Sequence, residues 1–223
     1  MICAEQFQAY AAEGYNRIPV VREVLSDLDT PLSVYLKLAD GPNTYLFESV
    51  EGGETWGRYS IIGLPAKRAF VFRGHRLEEQ EFGETIDVRT LEDPLEYVDV
   101  LRARYRVPKL DGLPDFSGGL VGYFGFETIA WIEPKLKMAD KPDYMDAPDA
   151  LLLLSEEVAV FDNLKGRLYL IVHADPAEPQ AYAKAQRRLD ELVYRLRQSG
   201  RSYPDVLHPS LLNEADFVSG FSE

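Results

Sequence analysis

Apolar residues recur every three or four positions in several segments, which is the spacing of an amphipathic helix. The pattern predicts helices over 5–12, 31–39, 90–107 and 175–200. Three of these helices are predicted to start at Thr or Asp followed by proline, at Thr30-Pro31, Asp93-Pro94 and Asp175-Pro176, and both residue types are favoured at helix starts. Asp29 is an alternative cap for the helix at 31–39.

Between these helices lie short runs rich in aromatic and β-branched residues, which favour strands. The sequence predicts strands at 44–49 and 58–64, a hairpin over 69–82 that turns at Gly74-His75, and two strands over 150–175 around the DNLKG turn. Segment 113–134 has four glycines within eight residues, and we interpret it as a strand followed by a short helix after Gly125.

The predicted strands follow one another through short turns and do not alternate regularly with helices. This order is typical of an antiparallel sheet with helices packed on it, so the predicted fold class is α+β. Residues 1–200 are predicted to form one domain. Residues 201–223 read as a linker and the start of a further domain, because a new helix pattern opens at 213–217, too near the last residue to be stable alone.

The formal net charge of −13 argues against binding to nucleic acid or to anionic membranes, since both partners require clustered Lys and Arg. The single cysteine, Cys3, excludes an internal disulfide and fits a reducing cytosol. The first residues lack the pattern of a signal peptide, and the longest apolar run, 150–154, is too short to span a bilayer.

Common enzyme motifs are absent from the sequence. It contains no P-loop, GxSxG or HExxH motif, and the glycines of GGLVGYFG have the wrong spacing for a dinucleotide fingerprint. His75, His173 and His208 are scattered, so each is interpreted as a surface residue and not as a ligand or base.

Glu48 and Ser49 are the polar residues that the pattern singles out, because they end the apolar run 45–47. Glu48 is either an edge residue paired with Arg58 or Lys67, or a pocket wall that offers a carboxylate to an ammonium group. Ser49 either caps the following glycine turn or binds a small ligand through its hydroxyl.

The segment YLFESVEGGETWGRYSIIG, at 45–63, closely resembles a motif of anthranilate synthase component I. Three more segments resemble that family in the same order, at 16–38, 116–133 and 148–172, and 215–223 is similar to the start of the family's catalytic domain. The chain is therefore identified as similar to the amino-terminal regulatory half of the family, with the fold of the chorismate-utilising enzymes.

The resemblance implies a lyase that converts chorismate and ammonia, or glutamine-derived ammonia, to anthranilate and pyruvate. It implies a glutamine amidotransferase partner subunit and a magnesium ion that assists loss of the leaving group. The magnesium ligands and catalytic residues are expected in the second half of the protein, so none is assigned here. The 223 residues alone are expected to be inactive.

The resemblance also implies a feedback site for L-tryptophan in this half. The residues that match it are Phe47, Glu48, Ser49, Val50, Arg58 and Tyr59. A zwitterion with an indole ring needs a carboxylate or carbonyl groups for its ammonium, donors for its carboxylate and an apolar slot. The family completes the pocket with an Asn-Pro loop of the catalytic half, so binding by this half alone is expected to be weak.

The chain departs from the family at the glycine-aromatic motif. Phe126 and Glu127 replace the family's Tyr-Asp, and Ala130 stands where an Arg is common. Two alternatives remain open: component I of aminodeoxychorismate synthase, which shares the architecture and precursor, and a stand-alone amino-acid-binding module.

Overall fold

The computed structural model describes residues 2–26, 28–48, 57–133, 135–136 and 146–198. The helices are α1 Ala4–Ala12, α2 Pro31–Leu38, α3 Pro94–Ala103, α4 Ile129–Ile132 and α5 Ala181–Arg197. The strands are β1 Ile18–Leu25, β2 Tyr45–Phe47, β3 Tyr59–Gly63, β4 Arg68–Arg73, β5 Arg76–Glu81, β6 Glu84–Thr90, β7 Gly119–Phe124, β8 Ala150–Ser155, β9 Glu157–Asp162 and β10 Arg167–Ala174. A 3₁₀ turn, Phe126–Thr128, precedes α4.

The first sheet has the strand order β1-β10-β9-β3-β2, and all of its neighbouring strands are antiparallel. Helices α1, α2 and α5 cover one face of it and enclose the largest core cluster. The buried stripe of α5 supplies Ala181, Ala185, Leu189, Leu192 and Leu196. The opposite face carries a smaller cluster built on Val160, Tyr169 and Ile171, which Leu113 and Phe116 partly cover.

The second sheet has the order β6-β5-β4-β8-β7 and is also antiparallel throughout. Its core contains Phe70, Phe72 and Leu152, against which α3 packs Leu101. Trp131 of α4 lies on the same core, with its ring centre 6.0 Å from that of Phe72.

The two sheets meet where β8 passes into β9. A single residue, Glu156, separates these strands, although they belong to different sheets. Arg17, just before β1, fixes the junction: its Nε lies 2.6 Å from a Glu156 carboxylate oxygen, and its Nη1 lies 2.8 Å from an Asp175 oxygen. The Tyr45 hydroxyl of the first sheet also meets the Ser155 hydroxyl of the second, at 2.8 Å.

This architecture confirms the predicted α+β class. The β4–β5 hairpin turns at Gly74-His75 as predicted. The Thr30 hydroxyl accepts from the Ser33 backbone N–H at 3.1 Å, and the Asp93 carboxylate accepts from the Leu95 N–H at 2.8 Å, so the predicted starts at Thr30 and Asp93 are confirmed. The predicted end of α5 at 199–200 and the predicted boundary near residue 200 lie outside the described residues.

Three secondary-structure predictions were wrong. The helix predicted over 90–107 spans only Pro94–Ala103, because residues 84–90 form β6 at the sheet edge. The region 150–175 holds three strands and not two, since Glu156 breaks the first run. Helix α5 begins at Ala181, because the Asp175 carboxylate accepts from the Ala177 N–H at 2.9 Å and closes a turn there.

Candidate functional site

Four side chains of β2 and β3 form what we call the aromatic face: Tyr45, Phe47, Tyr59 and Ile61. Tyr45 pairs with Gly63 and Phe47 with Ile61, so alternation along the two strands brings these residues to one side of the sheet, opposite the helices. The rings of Tyr45 and Phe47 are 5.0 Å apart. Phe47 is 53% exposed, which leaves an apolar surface accessible at the edge of the sheet.

Tyr45 anchors the inner end of the aromatic face. Its ring crosses Gly63, where an added Cβ would lie 1.9 Å from a ring carbon, so only glycine allows this approach. Burial raises the pKa of Tyr45 to about 12, and the hydrogen bond with Ser155 acts in the opposite direction. The Tyr45 hydroxyl therefore stays protonated and bridges the two sheets.

Arg58 and Asp162 form an ion pair beside the aromatic face. The Asp162 side chain at the end of β9 is 1% exposed, and Arg58 Nη2 donates to it at 2.9 Å. The guanidinium carbon also lies 4.8 Å from the centre of the Tyr59 ring, within range of a cation–π contact. Although burial raises the pKa of Asp162, the hydrogen bonds from Arg58 and from the Lys165 backbone outweigh it and hold that pKa below its usual value.

The predicted tryptophan-site residues fall into two groups. Phe47, Arg58 and Tyr59 come together at the same end of the β2–β3 pair, and Glu48 follows β2 as an exposed residue. Ser49 and Val50 lie outside the described residues. The predicted pocket therefore stays a prediction.

Asp162 was not among the residues that the sequence singled out. One alternative from the sequence paired Glu48 with Arg58 or Lys67, whereas the structure pairs Arg58 with Asp162. Asp162 ends the apolar run 158–161, the same signal that drew attention to Glu48 after 45–47. Pairing Asp162 with Arg58 from the sequence would have required knowing that β9 pairs with β3.

Two further hollows lie near the junction of the sheets. One of about 700 Å³ opens beside the start of α5, between Lys67, Glu157 and Arg188. The Arg188 guanidinium donates to both Glu157 oxygens there, with Nη2 at 2.9 Å. A smaller cavity of about 170 Å³ is lined by Arg17, Tyr105 and His173.

His173 is enclosed at this junction, with its Nε2 donating to the Ser117 carbonyl at 2.7 Å. Burial lowers the pKa of His173. The hydrogen bond to Ser117 and the Glu156 carboxylate oppose that effect, and Arg17 adds to it. His173 was interpreted from the sequence as a surface residue at a strand end. It lies instead at the sheet junction as a structural hydrogen-bond donor.

The described residues include no group of three or more His, Cys, Asp or Glu side chains arranged to hold a metal ion. These residues therefore do not fit a magnesium site. None of the helices in the described ranges is both long and apolar enough to cross a bilayer.

Comparison with known proteins finds similar chains that are named anthranilate synthase component 1. The chain is 52% identical over 194 residues to anthranilate synthase component 1 of Pseudomonas aeruginosa, covering 87% of the chain and 39% of that relative. It is 50% identical over 202 residues to anthranilate synthase component 1 of Neisseria meningitidis serogroup C, covering 89% of the chain and 41% of the relative. Over this span, the chain is similar to a part of anthranilate synthase component 1.

The chain spans about two fifths of the length of these relatives. Among solved structures, the crystal structure of anthranilate synthase component I from Streptococcus pneumoniae TIGR4 aligns with a TM-score of 0.52 at 23% identity, covering 80% of the chain and 37% of that structure. This alignment supports the fold. No family model matches the chain.

Proposed function

We propose that this chain is the amino-terminal, tryptophan-sensing part of an anthranilate synthase component I. The whole protein would be a lyase that converts chorismate and ammonia, or glutamine-derived ammonia, to anthranilate and pyruvate in tryptophan biosynthesis. The observation that carries the proposal is the 52% identity, over 87% of the chain, to a relative of that name. The names of these relatives also favour this product over aminodeoxychorismate.

The tryptophan site is proposed at the outer end of the aromatic face. Phe47 offers an exposed ring for an indole, with the half-buried Tyr59 at the same end of the β2–β3 pair. Glu48, which follows Phe47 in the chain and is exposed, would offer its carboxylate to the ammonium group. Arg58 brings guanidinium donors to the same end of the sheet. Ser49 and Val50 enter the proposed site through the resemblance of segment 45–63 to the family motif. Together these residues offer the three kinds of contact that a zwitterionic aromatic amino acid needs.

Inhibition would act through the catalytic half of the protein. Tryptophan would bind better to one arrangement of the two halves than to the other, so its effect is a coupling free energy, typically about 1–3 kcal/mol. The coupling is reciprocal, and bound chorismate would weaken tryptophan binding by the same factor. The proposed partners are the protein's own catalytic domain and a glutamine amidotransferase subunit, in the cytoplasm, with magnesium held by the catalytic domain.

The experiment uses the protein made from the complete reading frame, supplied with chorismate, magnesium and ammonia. Anthranilate fluorescence gives the rate, and a tryptophan titration gives the concentration that halves it. We expect S49L and F47A each to raise that concentration at least about tenfold, because each removes a contact worth about 1.4 kcal/mol or more.

The matched control is F82A, which removes another exposed phenylalanine ring from a position between β5 and β6. It should leave the half-inhibitory concentration within about twofold of wild type. Wild-type sensitivity in both S49L and F47A would show that the site is wrongly placed. Absence of anthranilate, or formation of aminodeoxychorismate in its place, would contradict the proposed activity itself.

A further inference from the structure

The β9–β10 turn, residues 163–166, holds the chain segment that leads into β3. The Asn163 backbone N–H donates to the Arg58 carbonyl at 2.8 Å. The Asn163 side-chain amide donates to the Gly57 carbonyl at 3.2 Å and to the Ser60 hydroxyl at 3.3 Å. One turn residue thus contacts three positions beside the aromatic face, 57, 58 and 60.

Asp162 fixes the side chain of the same segment. Its carboxylate accepts from Arg58 Nε at 3.3 Å and from Nη2 at 2.9 Å, so the guanidinium is held edge-on by two of its nitrogens. The Lys165 backbone N–H donates to the same carboxylate at 3.2 Å, which fixes the carboxylate itself. A bidentate pair of this kind restrains orientation as well as distance.

The restraint matters because Arg58 is otherwise free to move. Its side chain is 43% exposed, and among the described residues Asp162 is its ion-pair partner. A long side chain without such a partner samples many rotamers, and ordering it on ligand binding costs entropy. With the partner present, the guanidinium is already seated 4.8 Å from the Tyr59 ring centre before any ligand arrives.

The Tyr59 ring is restrained from two sides. It packs partly against the buried cluster that contains Val160 and Tyr169, and Arg58 lies over the ring. Arg58 therefore connects a buried carboxylate to a ring of the aromatic face. Removal of the carboxylate would free the guanidinium and so remove one of the two restraints on the ring.

We infer that Asp162 is a positioning residue for the amino-acid ligand, which holds Arg58 against Tyr59 and so sets the aromatic face in its binding arrangement. Asn163 assists it by fixing the backbone of the same segment. This inference rests on the proposed function, since it concerns how the tryptophan site is prepared.

The test compares D162N with E157Q in the protein made from the complete reading frame. Both changes remove one charge from strand β9 and break a bidentate arginine pair, with Arg58 in one case and Arg188 in the other. Glu157, however, lies at the opposite end of the strand, against α5. We measure tryptophan binding by calorimetry, the half-inhibitory tryptophan concentration, and the melting temperature of each variant.

We expect D162N to weaken tryptophan binding and raise the half-inhibitory concentration about tenfold, since a charge-assisted bidentate contact is lost. E157Q should lower the melting temperature with less than about a twofold change in tryptophan affinity. If D162N is too unstable to purify, N163A is used, which keeps the ion pair and should raise the concentration about threefold through loss of two hydrogen bonds.

The outcomes separate this inference from the function on which it rests. If wild-type protein neither binds tryptophan nor is inhibited by it, the proposed function fails. If wild type is inhibited but D162N or N163A keeps wild-type affinity, Asp162 is not a positioning residue. Equal losses of affinity in D162N and E157Q at equal melting temperatures would mean that both pairs act only through stability, which also overturns the inference.

Discussion

The Tyr45 hydroxyl affects stability in two ways, through its hydrogen bond with Ser155 and through its ionisation at high pH, and a pH-dependent experiment can separate them. Tyr45 lies on β2 of the first sheet and Ser155 on β8 of the second, with their hydroxyl oxygens 2.8 Å apart. The change is Y45F, which removes the Tyr45 hydroxyl and keeps the ring over Gly63. It leaves Ser155, which is 1% exposed, without that partner.

The hydrogen bond stabilises wild type near neutral pH, whereas ionisation of Tyr45 destabilises it at high pH. Near neutral pH, loss of one member of a buried hydroxyl pair should cost about 1–3 kcal/mol of the free energy of unfolding. The pKa of Tyr45 in the folded protein is raised from 10.0 to about 12. The protonated hydroxyl therefore contributes its full stabilisation of the folded state below pH 10, and this stabilisation is lost as pH rises towards about 12. A shift of two units corresponds to roughly 2.7 kcal/mol in all, and to roughly 1.4 kcal/mol by pH 11. Phenylalanine has no such loss.

Y45F should therefore be less stable than wild type at pH 8 and close to it in stability by about pH 11. Urea unfolding followed by tryptophan fluorescence at both pH values gives the two differences. As a control, Y194F changes a tyrosine that is 66% exposed and should shift the unfolding free energy by less than about 0.5 kcal/mol at pH 8. A difference between Y45F and wild type that is the same at pH 8 and pH 11 would refute a buried, hydrogen-bonded hydroxyl at this position.

Two other predictions concern the sheet junction and the edge strand. Because burial lowers the pKa of His173 in the folded protein, the unfolding free energy of wild type should fall as pH drops below about 6.5. H173Q should reduce this dependence of the unfolding free energy on pH, measured by urea titrations at about pH 7.5 and about pH 5.5. An unchanged pH dependence would count against the burial of His173. An added Cβ at Gly122 would lie 1.7 Å from the Leu151 carbonyl oxygen, so G122A should cost at least about 2 kcal/mol in the same assay. G83A meets nothing within 4 Å and should cost only about 1 kcal/mol for its left-handed backbone; equal losses would refute the β7–β8 contact.

The elements that could be predicted from the sequence are those whose signal is local. The stripe of α5 repeats over five turns, and the caps of α2 and α3 need only neighbouring residues. The β4–β5 hairpin is set by its Gly74-His75 turn and an apolar run before it. In each case the residues that determine the element lie within a few positions of one another.

The elements that were missed depend on distant partners. No pattern predicted β1, because its apolar run is interrupted by Arg22, which pairs with Asp190 of α5 at 2.9 Å. Strand β6 is mostly exposed and has no buried apolar face, so its sequence carries no strand signal apart from its pairing with β5. The break at Glu156 is set by the position of Arg17 before β1, 139 residues away.

The candidate site divides in the same way. Phe47, Arg58 and Tyr59 could be placed near one another because β2 and β3 are close in sequence and pair directly. Asp162 could not, since it meets Arg58 across 104 residues through the β9–β3 pairing. A residue that prepares a site from a neighbouring strand has no signal until the strand order is known.

The single residue between β8 and β9 places a strict limit on length variation. Side chains alternate along both strands, with Leu152 and Leu154 in the core of the second sheet, and Val158 and Val160 in the cluster next to the aromatic face. One residue inserted or deleted at Glu156 would exchange the two faces of β9. Its valines would then point towards α5, and Phe161 would point away from it. Homologous chains should therefore keep the number of residues fixed between positions 150 and 162.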